Sequence, residues 1–361
     1  MALIVDERIE KVAMLLVDYS TKIKDGDCVL IRTDPPARDL ALEVYKYALL
    51  RGAYPWIRTD LPGARYVFLK YASDAQLGFF PEHDFAEIKN TDVYILLVAP
   101  FNVKELSGVD PTRIGARLKV LKPINDWRVE KTRWVAFYYP TEALAQEADM
   151  PLQEFEDFVF NACLINWKEV SKRLHRLKKA VDVTDKVKII SHDTNLEFSV
   201  KGRNSKVADG ENNMPDGELF TSIVEQSVNG YIRFDIPAIW QGNVVEDIAL
   251  TFEHGKIVDA RASKNQAFLE KIIETDEGAK RVGEFGIGFN YGFTNPVKNI
   301  LFDEKIGGTI HLAVGRGYKE TLSQNDSAIH WDMIKDLRKD GEIYFDQKLV
   351  MKNGKWLINE T

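Results

Sequence analysis

A change in the hydrophobic pattern near residue 183 limits what this chain can fold into. Before it, continuous apolar runs such as 28–31 and 93–98, the latter preceded by Asp92, alternate with segments whose apolar residues recur at helical spacing. Buried strands joined through helices are typical of a parallel, helix-covered sheet. After it, short strands of alternating pattern are separated by glycine turns, which is typical of antiparallel sheet. We therefore predict an α/β N-terminal domain over residues 1–182 and an α+β C-terminal domain, with largely antiparallel sheet, over residues 183–361.

The charge balance excludes several classes of function. The 361 residues carry a formal net charge of −7, with a sequence pI of about 5.6. This mild acidity provides no basic surface for nucleic acid or for an anionic membrane. A basic run at 173–179 ends a helical segment predicted over 152–177, and we interpret it as a solvated helix end near the domain boundary.

The sequence also indicates the cellular compartment of the protein. No stretch approaches the roughly 20 apolar residues that a membrane-spanning helix needs. The segment Met1–Lys11 contains acidic residues before any long apolar run, unlike a secretory signal. We therefore predict a cytoplasmic protein. Cys28 and Cys163 each lie in an apolar run, which favours small buried side chains over a disulfide or a metal site.

The predicted first domain contains few candidate catalytic or ligand-binding motifs. Its first predicted strand leads into Thr33-Asp34-Pro35-Pro36, which lacks the glycine pattern of a nucleotide-binding loop. The nucleophile-elbow motif of the hydrolases is absent from the sequence as well. His83, and likewise His175, His192 and His254 further along the chain, are predicted to be surface or turn residues.

Two glutamates of the second domain occupy unusual places. Glu218 lies in a Pro/Gly turn that leads directly into a strand, and Glu284 lies in an otherwise apolar, glycine-rich segment. A buried carboxylate among apolar neighbours needs a nearby cation or proton. An exposed turn glutamate is the simpler interpretation of either residue taken alone.

A histidine-containing stretch follows these glutamates. His311 comes shortly after a Gly-Gly turn, and Tyr318 follows seven residues later. His330 and Asp332, two residues apart, point the same way if their segment is extended. Imidazole with carboxylate is a ligand set for zinc, cobalt or manganese, and bridging carboxylates suit a pair of ions. Two core histidines that merely lie close in sequence are the alternative.

Several of these segments resemble the thermophilic metallo-aminopeptidase family, of the aminopeptidase T and aminopeptidase S type. The segments are Gly217–Thr221, Gly283–Phe285, Phe302–Glu304 with His311 and Tyr318, and His330–Asp332. The resemblance runs through nearly the whole chain. It implies a homodimer and a centre of two divalent ions, and it implies a catalytic role for Tyr318. The ligands that it implies are Glu218, Glu284, His311, His330 and Asp332, with Glu304 as a further acidic ligand.

The hypothesis that follows is hydrolysis of the first peptide bond of short peptides by a metal-activated water. Glu284 is our candidate for the group that takes the proton of that water, and it is also a candidate ligand. The Tyr318 hydroxyl would donate to the oxyanion.

Two alternatives stay open from the sequence. One is another two-metal hydrolase, an amidase or a phosphoesterase, for which Lys305 and Arg316 could bind phosphate. The other is a binding protein in which the metal is structural. A structural zinc site normally contains cysteines, and neither cysteine lies near these residues.

Overall fold

The computed structural model describes residues 6–358, so the first five residues of the Met1–Lys11 segment lie outside the described range. Its contacts divide the chain into two compact units. The first extends through Leu164 and includes Gly210–Pro215; the second comprises Ile165–Asp209 and the chain from Asp216 onward. The second unit begins at Ile165, earlier in the chain than the boundary that we predicted after residue 182. The reason is that a helix starting at Trp167 belongs to the second unit.

The elements of the described chain are named here in chain order. The helices are α1 (Glu7–Met14), α2 (Arg38–Leu50), α3 (Ala64–Tyr71), α4 (Asp74–Leu77), α5 (Glu82–Lys89), α6 (Pro111–Lys131), α7 (Glu142–Glu147), α8 (Leu152–Cys163), α9 (Trp167–Asp182), α10 (Gln266–Ile273) and α11 (Ile300–Asp303), with a π-helical segment at Leu15–Ser20 and 3₁₀ turns at Pro35–Ala37 and Lys319–Thr321. The strands are β1 (Cys28–Thr33), β2 (Tyr54–Thr59), β3 (Val93–Val98), β4 (Arg133–Tyr138), β5 (Lys186–Ser191), β6 (Thr194–Ser199), β7 (Lys206–Ala208), β8 (Asn213–Met214), β9 (Glu218–Thr221), β10 (Asn229–Arg233), β11 (Ala238–Trp240), β12 (Asn243–Val245), β13 (Ala249–Glu253), β14 (Lys256–Arg261), β15 (Val282–Gly288), β16 (Thr309–Gly315), β17 (His330–Asp336), β18 (Glu342–Phe345), β19 (Lys348–Lys352) and β20 (Lys355–Trp356).

The first unit contains a parallel sheet with the strand order β2-β1-β3-β4-β8. Its inner strands are the continuous apolar runs of the sequence, and Val93, Ile95 and Leu97 of β3 are fully buried. Such strands have no polar face to offer to water, so helices must cover the sheet. The predicted parallel, helix-covered architecture is confirmed.

The helix predicted over 152–177 is two helices. α8 ends at Cys163, and the side chain of Asn166 accepts a hydrogen bond from the backbone N–H of Glu169 at 3.2 Å to cap the start of α9. An asparagine N-cap favours a new helix start over continuation. Cys163 is buried and Cys28 partly exposed, and both are free thiols.

The second unit is built from antiparallel sheets. One has the order β14-β13-β10-β6-β5-β18-β19-β20 and another the order β17-β16-β15-β9-β7, with β11 and β12 forming a separate hairpin. The rings of Phe198 on β6 and Phe285 on β15 meet at 5.1 Å between centroids, so the faces of the two larger sheets share one apolar core. The predicted α+β domain is confirmed. Among residues 6–358, no helix combines the length and apolar character that crossing a membrane requires.

Candidate metal centre

The predicted site residues converge on one face of the β17-β16-β15-β9 sheet. Alternate residues of a strand point to opposite faces, and Phe285, Leu312 and Trp331 fill the apolar core. The residues between them face the other way. The register then places Glu284 opposite Ala313 and Ala313 opposite Asp332. The register of β15 with β9 likewise places Glu218 opposite Gly288, so antiparallel pairing brings together acidic groups that are far apart in sequence.

Glu284 lies between the two histidines. Its Oε1 is 3.5 Å from Nε2 of His311, and its Oε2 is 3.5 Å from Nε2 of His330. His330 Nε2 also lies 3.5 Å from Asp332 Oδ1, and His311 Nε2 lies 3.8 Å from Glu218 Oε2. The Glu284 carboxylate therefore lies between two pairs of side chains, His311 with Glu218 and His330 with Asp332.

A backbone carbonyl orients His330. Nδ1 of this histidine is 2.6 Å from the carbonyl oxygen of Arg316, and because a carbonyl only accepts, Nδ1 carries the proton and donates it. This leaves Nε2 facing the carboxylates, as in metal-binding histidines whose second nitrogen is held by the protein. The ring of Tyr318 lies 5.0 Å from the ring of His330 and is partly exposed, at the edge of the cluster.

A buried lysine forms the other side of the cluster. Lys305 is 1% exposed, forms an ion pair with Glu304, and places Nζ 3.3 Å from Glu218 Oε1 and 3.9 Å from Asp216 Oδ1. Candidate ligand atoms of Glu218, Glu304 and His311 lie within 4.8 Å of one another. The sequence had pointed to Lys305 only as a phosphate contact, and it did not indicate Asp216, whose Pro-Asp-Gly setting is typical of an ordinary turn.

The site depends on a glycine that the sequence analysis did not single out. A Cβ atom on Gly286 would lie 1.9 Å from Nε2 and 2.0 Å from Cε1 of His311, its neighbour across the strand pair. The imidazole thus lies directly over the β15 backbone. A glycine within a strand often marks such a close approach, and this signal could have identified Gly286.

We expect Gly286→Ala to destabilise the protein by about 1–3 kcal/mol, because the new methyl group must displace a buried ring. It should also weaken zinc binding, because His311 leaves its place among the carboxylates. Urea unfolding and zinc titration would measure both effects. Gly115→Ala is the control: its Cβ meets no atom within 4 Å in the exposed interior of α6, so stability should rise by about 0.5–1 kcal/mol. Unchanged stability and zinc affinity in Gly286→Ala would contradict this account.

Burial and the excess of acidic side chains shift the pKa values of the groups in the cluster. Burial raises the pKa of Glu218 to about 8 and also raises the pKa of Glu284. Burial alone would lower the pKa of His311, but its hydrogen bond with Glu284 and the charge of Glu218 raise it to about 10. Burial of His330 is likewise outweighed by its hydrogen bond with Asp332, and its pKa is raised to about 9. The cluster therefore takes up positive charge, as protons or as cations.

The donor atoms fit divalent metal ions. Glu218 Oε2, Glu284 Oε2 and His311 Nδ1 are buried, and none of them has a hydrogen-bond partner within residues 6–358. Unpaired buried polar atoms are costly, and a bound cation would offset that cost for the carboxylate oxygens. Carboxylate oxygens with imidazole nitrogens are ligands that zinc, manganese and cobalt accept.

The remaining histidines lie outside this cluster. The side chains of His83 and His192 are 77% and 69% exposed, and His175 and His254 are exposed as well. Arg316 is also exposed, and it contributes its backbone carbonyl to the site.

The buried carboxylate–histidine cluster has the ligand set of a divalent metal site. The family model described as "Thermophilic metalloprotease (M29)" matches residues 5–356, and the chain belongs to this family. The predicted family and the predicted enzyme class, a metal-dependent hydrolase acting on peptide bonds, are thereby confirmed.

Two curated relatives match this chain almost end to end, and a third matches part of it. Aminopeptidase AmpS of Bacillus subtilis (strain 168) is 24% identical over 97% of this chain and 98% of its own. Aminopeptidase 2 of Geobacillus stearothermophilus is 25% identical with the same coverage. Aminopeptidase T of Thermus thermophilus is 31% identical over 40% of each chain.

Solved structures share the fold. Wild-type AmpT from Thermus thermophilus superposes with a TM-score of 0.83 at 21% identity, covering 97% of this chain and 99% of that one. A dioxygenase from Pseudomonas putida KT2440 has a TM-score of 0.61 at 14% identity, covering 98% and 97%. Enzymes with different names therefore share this architecture, and function must be argued from the site.

Proposed function

We propose that this protein is an aminopeptidase that removes N-terminal residues from short peptides with the help of two divalent ions, zinc, cobalt or manganese. The observation that carries the proposal is the position of Glu284, whose two oxygens each face a different histidine. A carboxylate in that position could act as a ligand on the side of either histidine. The proposed ligands are Glu218, Glu284, Glu304, His311, His330 and Asp332. The names of the long-matching relatives, all aminopeptidases, support the same substrate class.

When bound, such ions would supply Lewis acidity and lower the pKa of a coordinated water toward about 7. The remaining chemistry belongs to the side chains. Glu284 is also the proposed general base, because its carboxylate lies at the centre of the cluster, between His311 and His330. It would hold the proton on a carboxylate oxygen and pass it to the leaving amine.

Tyr318 is the proposed oxyanion donor. Partial burial and the charge of Glu284 raise the pKa of its phenol well above the usual range, so the hydroxyl stays protonated at neutral pH. Its ring lies beside His330 at the edge of the site, where a substrate carbonyl could accept its hydrogen bond. Donors of this kind are typically worth about 10²–10³ in kcat.

The acidic character of the cluster would favour substrates with a free N-terminus. A peptide's α-ammonium group would meet partly accessible carboxylates, since the side chains of Glu304 and Asp332 are 15% and 13% exposed. An internal peptide bond has no such charge to offer. Cleavage would therefore begin at the first residue.

The rival two-metal hydrolases gain less support from the geometry. Phosphate ester chemistry favours a cation free to bind the phosphate. Lys305 is buried among three carboxylates, and the side chain of Arg316 is exposed to solvent. A binding protein with a structural metal would not require the partly accessible carboxylates and the tyrosine at the edge of the cluster.

The proposal also includes a cytoplasmic homodimer, as the family resemblance implies. Sedimentation equilibrium of the purified protein would test this association. A monomer at micromolar concentration would contradict it without affecting the proposed chemistry.

Removal of metal tests the proposal directly. After EDTA treatment we expect hydrolysis of leucyl-, arginyl- and glutamyl-p-nitroanilide to be lost, and added cobalt, zinc or manganese should restore it. Metal at 100 times its Kd should also stabilise the protein by about 2.7 kcal/mol, which thermal unfolding would detect. Full activity after chelation would refute the metal-dependent mechanism. Inactivity of the metal-loaded protein on every peptide substrate, with cleavage of phosphate esters or blocked amides, would favour a rival hydrolase.

A further inference from the structure

Tyr318 lies in a connection with little regular structure of its own. Residues 316–329, called here the Tyr318 segment, join the end of β16 to the start of β17 and contain the 3₁₀ turn Lys319–Thr321. Tyr318 directly precedes this turn and is 43% exposed. Loop backbone is more mobile than the sheet that it connects. The position of the Tyr318 hydroxyl therefore depends on the groups that hold the segment to the rest of the second unit.

The carbonyl oxygen of Tyr318 is held by the turn that follows it. It accepts a hydrogen bond from the hydroxyl of Thr321 at 2.8 Å and from the backbone N–H groups of Thr321 and Ser323 at 3.2 and 3.3 Å. The buried hydroxyls of Thr321 and Ser222 are also hydrogen-bonded, with Ser222 as the donor because the Thr321 proton is already used. Ser222 directly follows β9, so this bond joins the turn to the strand of Glu218.

A buried arginine holds the backbone where the turn ends. Leu322 has a φ of 63°, in the left-handed region that residues other than glycine rarely adopt. The Nη1 group of Arg203 donates a hydrogen bond to the carbonyl oxygen of Leu322, and the side chain of Arg203 is only 8% exposed. Backbone in a sparsely populated conformation persists where its surroundings hold it there, and such positions cluster at functional sites.

Glu225 connects the same arginine to a second point of the segment. Nη2 of Arg203 donates to Oε2 of Glu225 at 2.6 Å, and Oε1 of Glu225 accepts a hydrogen bond from the backbone N–H of Gln324 at 2.8 Å. The side chain of Glu225 is 17% exposed. The pair therefore contacts the backbone on both sides of Ser323. Hydrogen bonds between charged groups are stronger than neutral ones, and the planar guanidinium fixes their directions.

Further contacts hold the turn from the same side and the tyrosine ring from the other. Asn204 donates from Nδ2 to the carbonyl oxygen of Glu320 at 3.0 Å. The ring of Tyr318 packs against Phe220, at 5.6 Å between centroids, and against His330 at 5.0 Å. The backbone contacts thus determine where the ring enters the edge of the candidate metal centre.

We propose that Arg203 and Glu225 are positioning residues, which hold the Tyr318 hydroxyl where it can donate to the oxyanion. This inference rests on the proposed function, in which Tyr318 is that donor. Arg203 binds the segment at a backbone carbonyl four residues after Tyr318, and it is not one of the candidate ligands. Its effect on the reaction would therefore pass through the placement of the tyrosine.

A double-mutant cycle tests the inference. In the metal-loaded protein, Arg203→Met should lower kcat for leucyl-p-nitroanilide by about 10–10²-fold, because a displacement of about 1 Å at a reacting group can cost that much. KM should change far less, since the hydroxyl would act on charge that develops only in the transition state. In the Tyr318→Phe background no hydroxyl remains to be positioned, and the same substitution should change kcat by less than about twofold.

Arg338→Met is the matched control. Arg338 also pairs with a carboxylate, that of Asp336 at 2.7 Å, and donates to a backbone carbonyl, that of Thr294 at 2.8 Å. Its effect on kcat, whatever the size, should be the same factor with Tyr318 and with phenylalanine at that position. If Arg203→Met does not fold, Arg203→Lys replaces it, because lysine keeps the cation beside Glu225 and loses the planar fork. The smaller loss in kcat should again disappear in the Tyr318→Phe background.

Two further measurements do not depend on catalysis. Lys319 is exposed within the turn, so trypsin should cleave after it faster in metal-free Arg203→Met than in the wild-type protein or in Arg338→Met. The zinc affinity of Arg203→Met should equal that of the wild-type protein, because the candidate ligands are unchanged.

The outcomes separate this inference from the proposed function. Equal losses of kcat in both backgrounds, wild-type kcat in Arg203→Met, wild-type cleavage after Lys319, or a reduced zinc affinity would each overturn the positioning role alone. Wild-type kcat in Tyr318→Phe would overturn it as well, while peptide hydrolysis by the wild-type protein stands. Failure of the metal-loaded wild-type protein to hydrolyse any aminoacyl substrate would overturn the aminopeptidase proposal and this inference with it.

Discussion

Replacing Glu284 with glutamine is expected to lower kcat/KM for leucyl-p-nitroanilide by about 10²–10⁴, the range typical of losing a general base. The substitution keeps the shape of the side chain and removes its charge. Glutamine can neither accept the proton of a water nor offer a negative charge to a bound cation. Because Glu284 contacts both His311 and His330, the effect should exceed that of changing a residue that contacts one of them.

Metal content distinguishes the two proposed roles of Glu284. Atomic absorption of Glu284→Gln showing wild-type metal content with low activity would indicate a base, whereas loss of metal would indicate a ligand. Glu253→Gln, at an exposed position of β13, serves as the control and should retain full activity. Wild-type activity in Glu284→Gln would refute both roles.

Lys305→Met is expected to destabilise the metal-free protein by about 3–5 kcal/mol, the usual cost of removing one partner of a buried ion pair. The lysine is the buried cation beside Glu218, Glu304 and Asp216, and methionine would leave their charges uncompensated. Urea unfolding in EDTA would measure the loss. Glu218 has a raised pKa of about 8, so it ionises at a cost as the pH rises through that value, and this cost is greater without Lys305. The deficit should therefore be larger at pH 9 than at pH 6.

Lys335→Met provides a matched comparison. Lys335 is also 1% exposed, and its Nζ lies 2.7 Å from Asp193 Oδ1 and 3.1 Å from Asp235 Oδ2. It sits on the face of β17 opposite to that of His330 and Asp332. Both variants should be destabilised, but only Lys305→Met should change zinc affinity. Equal zinc affinities in the two variants would show that Lys305 has no electrostatic role at the candidate centre.

The parts of the fold that are encoded in hydrophobic patterns along the chain could be predicted from the sequence. Continuous apolar runs such as 93–98 indicated strands buried on both faces, and β3 lies within the parallel sheet as expected. The break between α8 and α9 was missed, because the apolar pattern continues across it while a single capping residue, Asn166, starts the second helix. Periodicity reports which face is buried, and it is less sensitive to where one helix ends and another begins.

The site was predictable in its residue types more than in its geometry. Carboxylates in apolar, glycine-rich surroundings and histidines near glycine turns pointed to metal chemistry, and the structure places all six candidate ligands in one region of the second unit. The connecting position of Glu284 was not readable from its neighbours in sequence. It follows from strand register, in which Glu284 pairs with Ala313 and Ala313 with Asp332.

The sequence by itself determined the two kinds of sheet, the family, and the chemical character of the candidate ligands, because each is encoded in local patterns or in motifs that can be read along the chain. The tertiary structure alone decided that Lys305 is a buried counter-ion and that Gly286 provides the space for His311. These features depend on distances between residues of separate strands and loops. Such distances are set by register and packing, which hydrophobic periodicity does not specify.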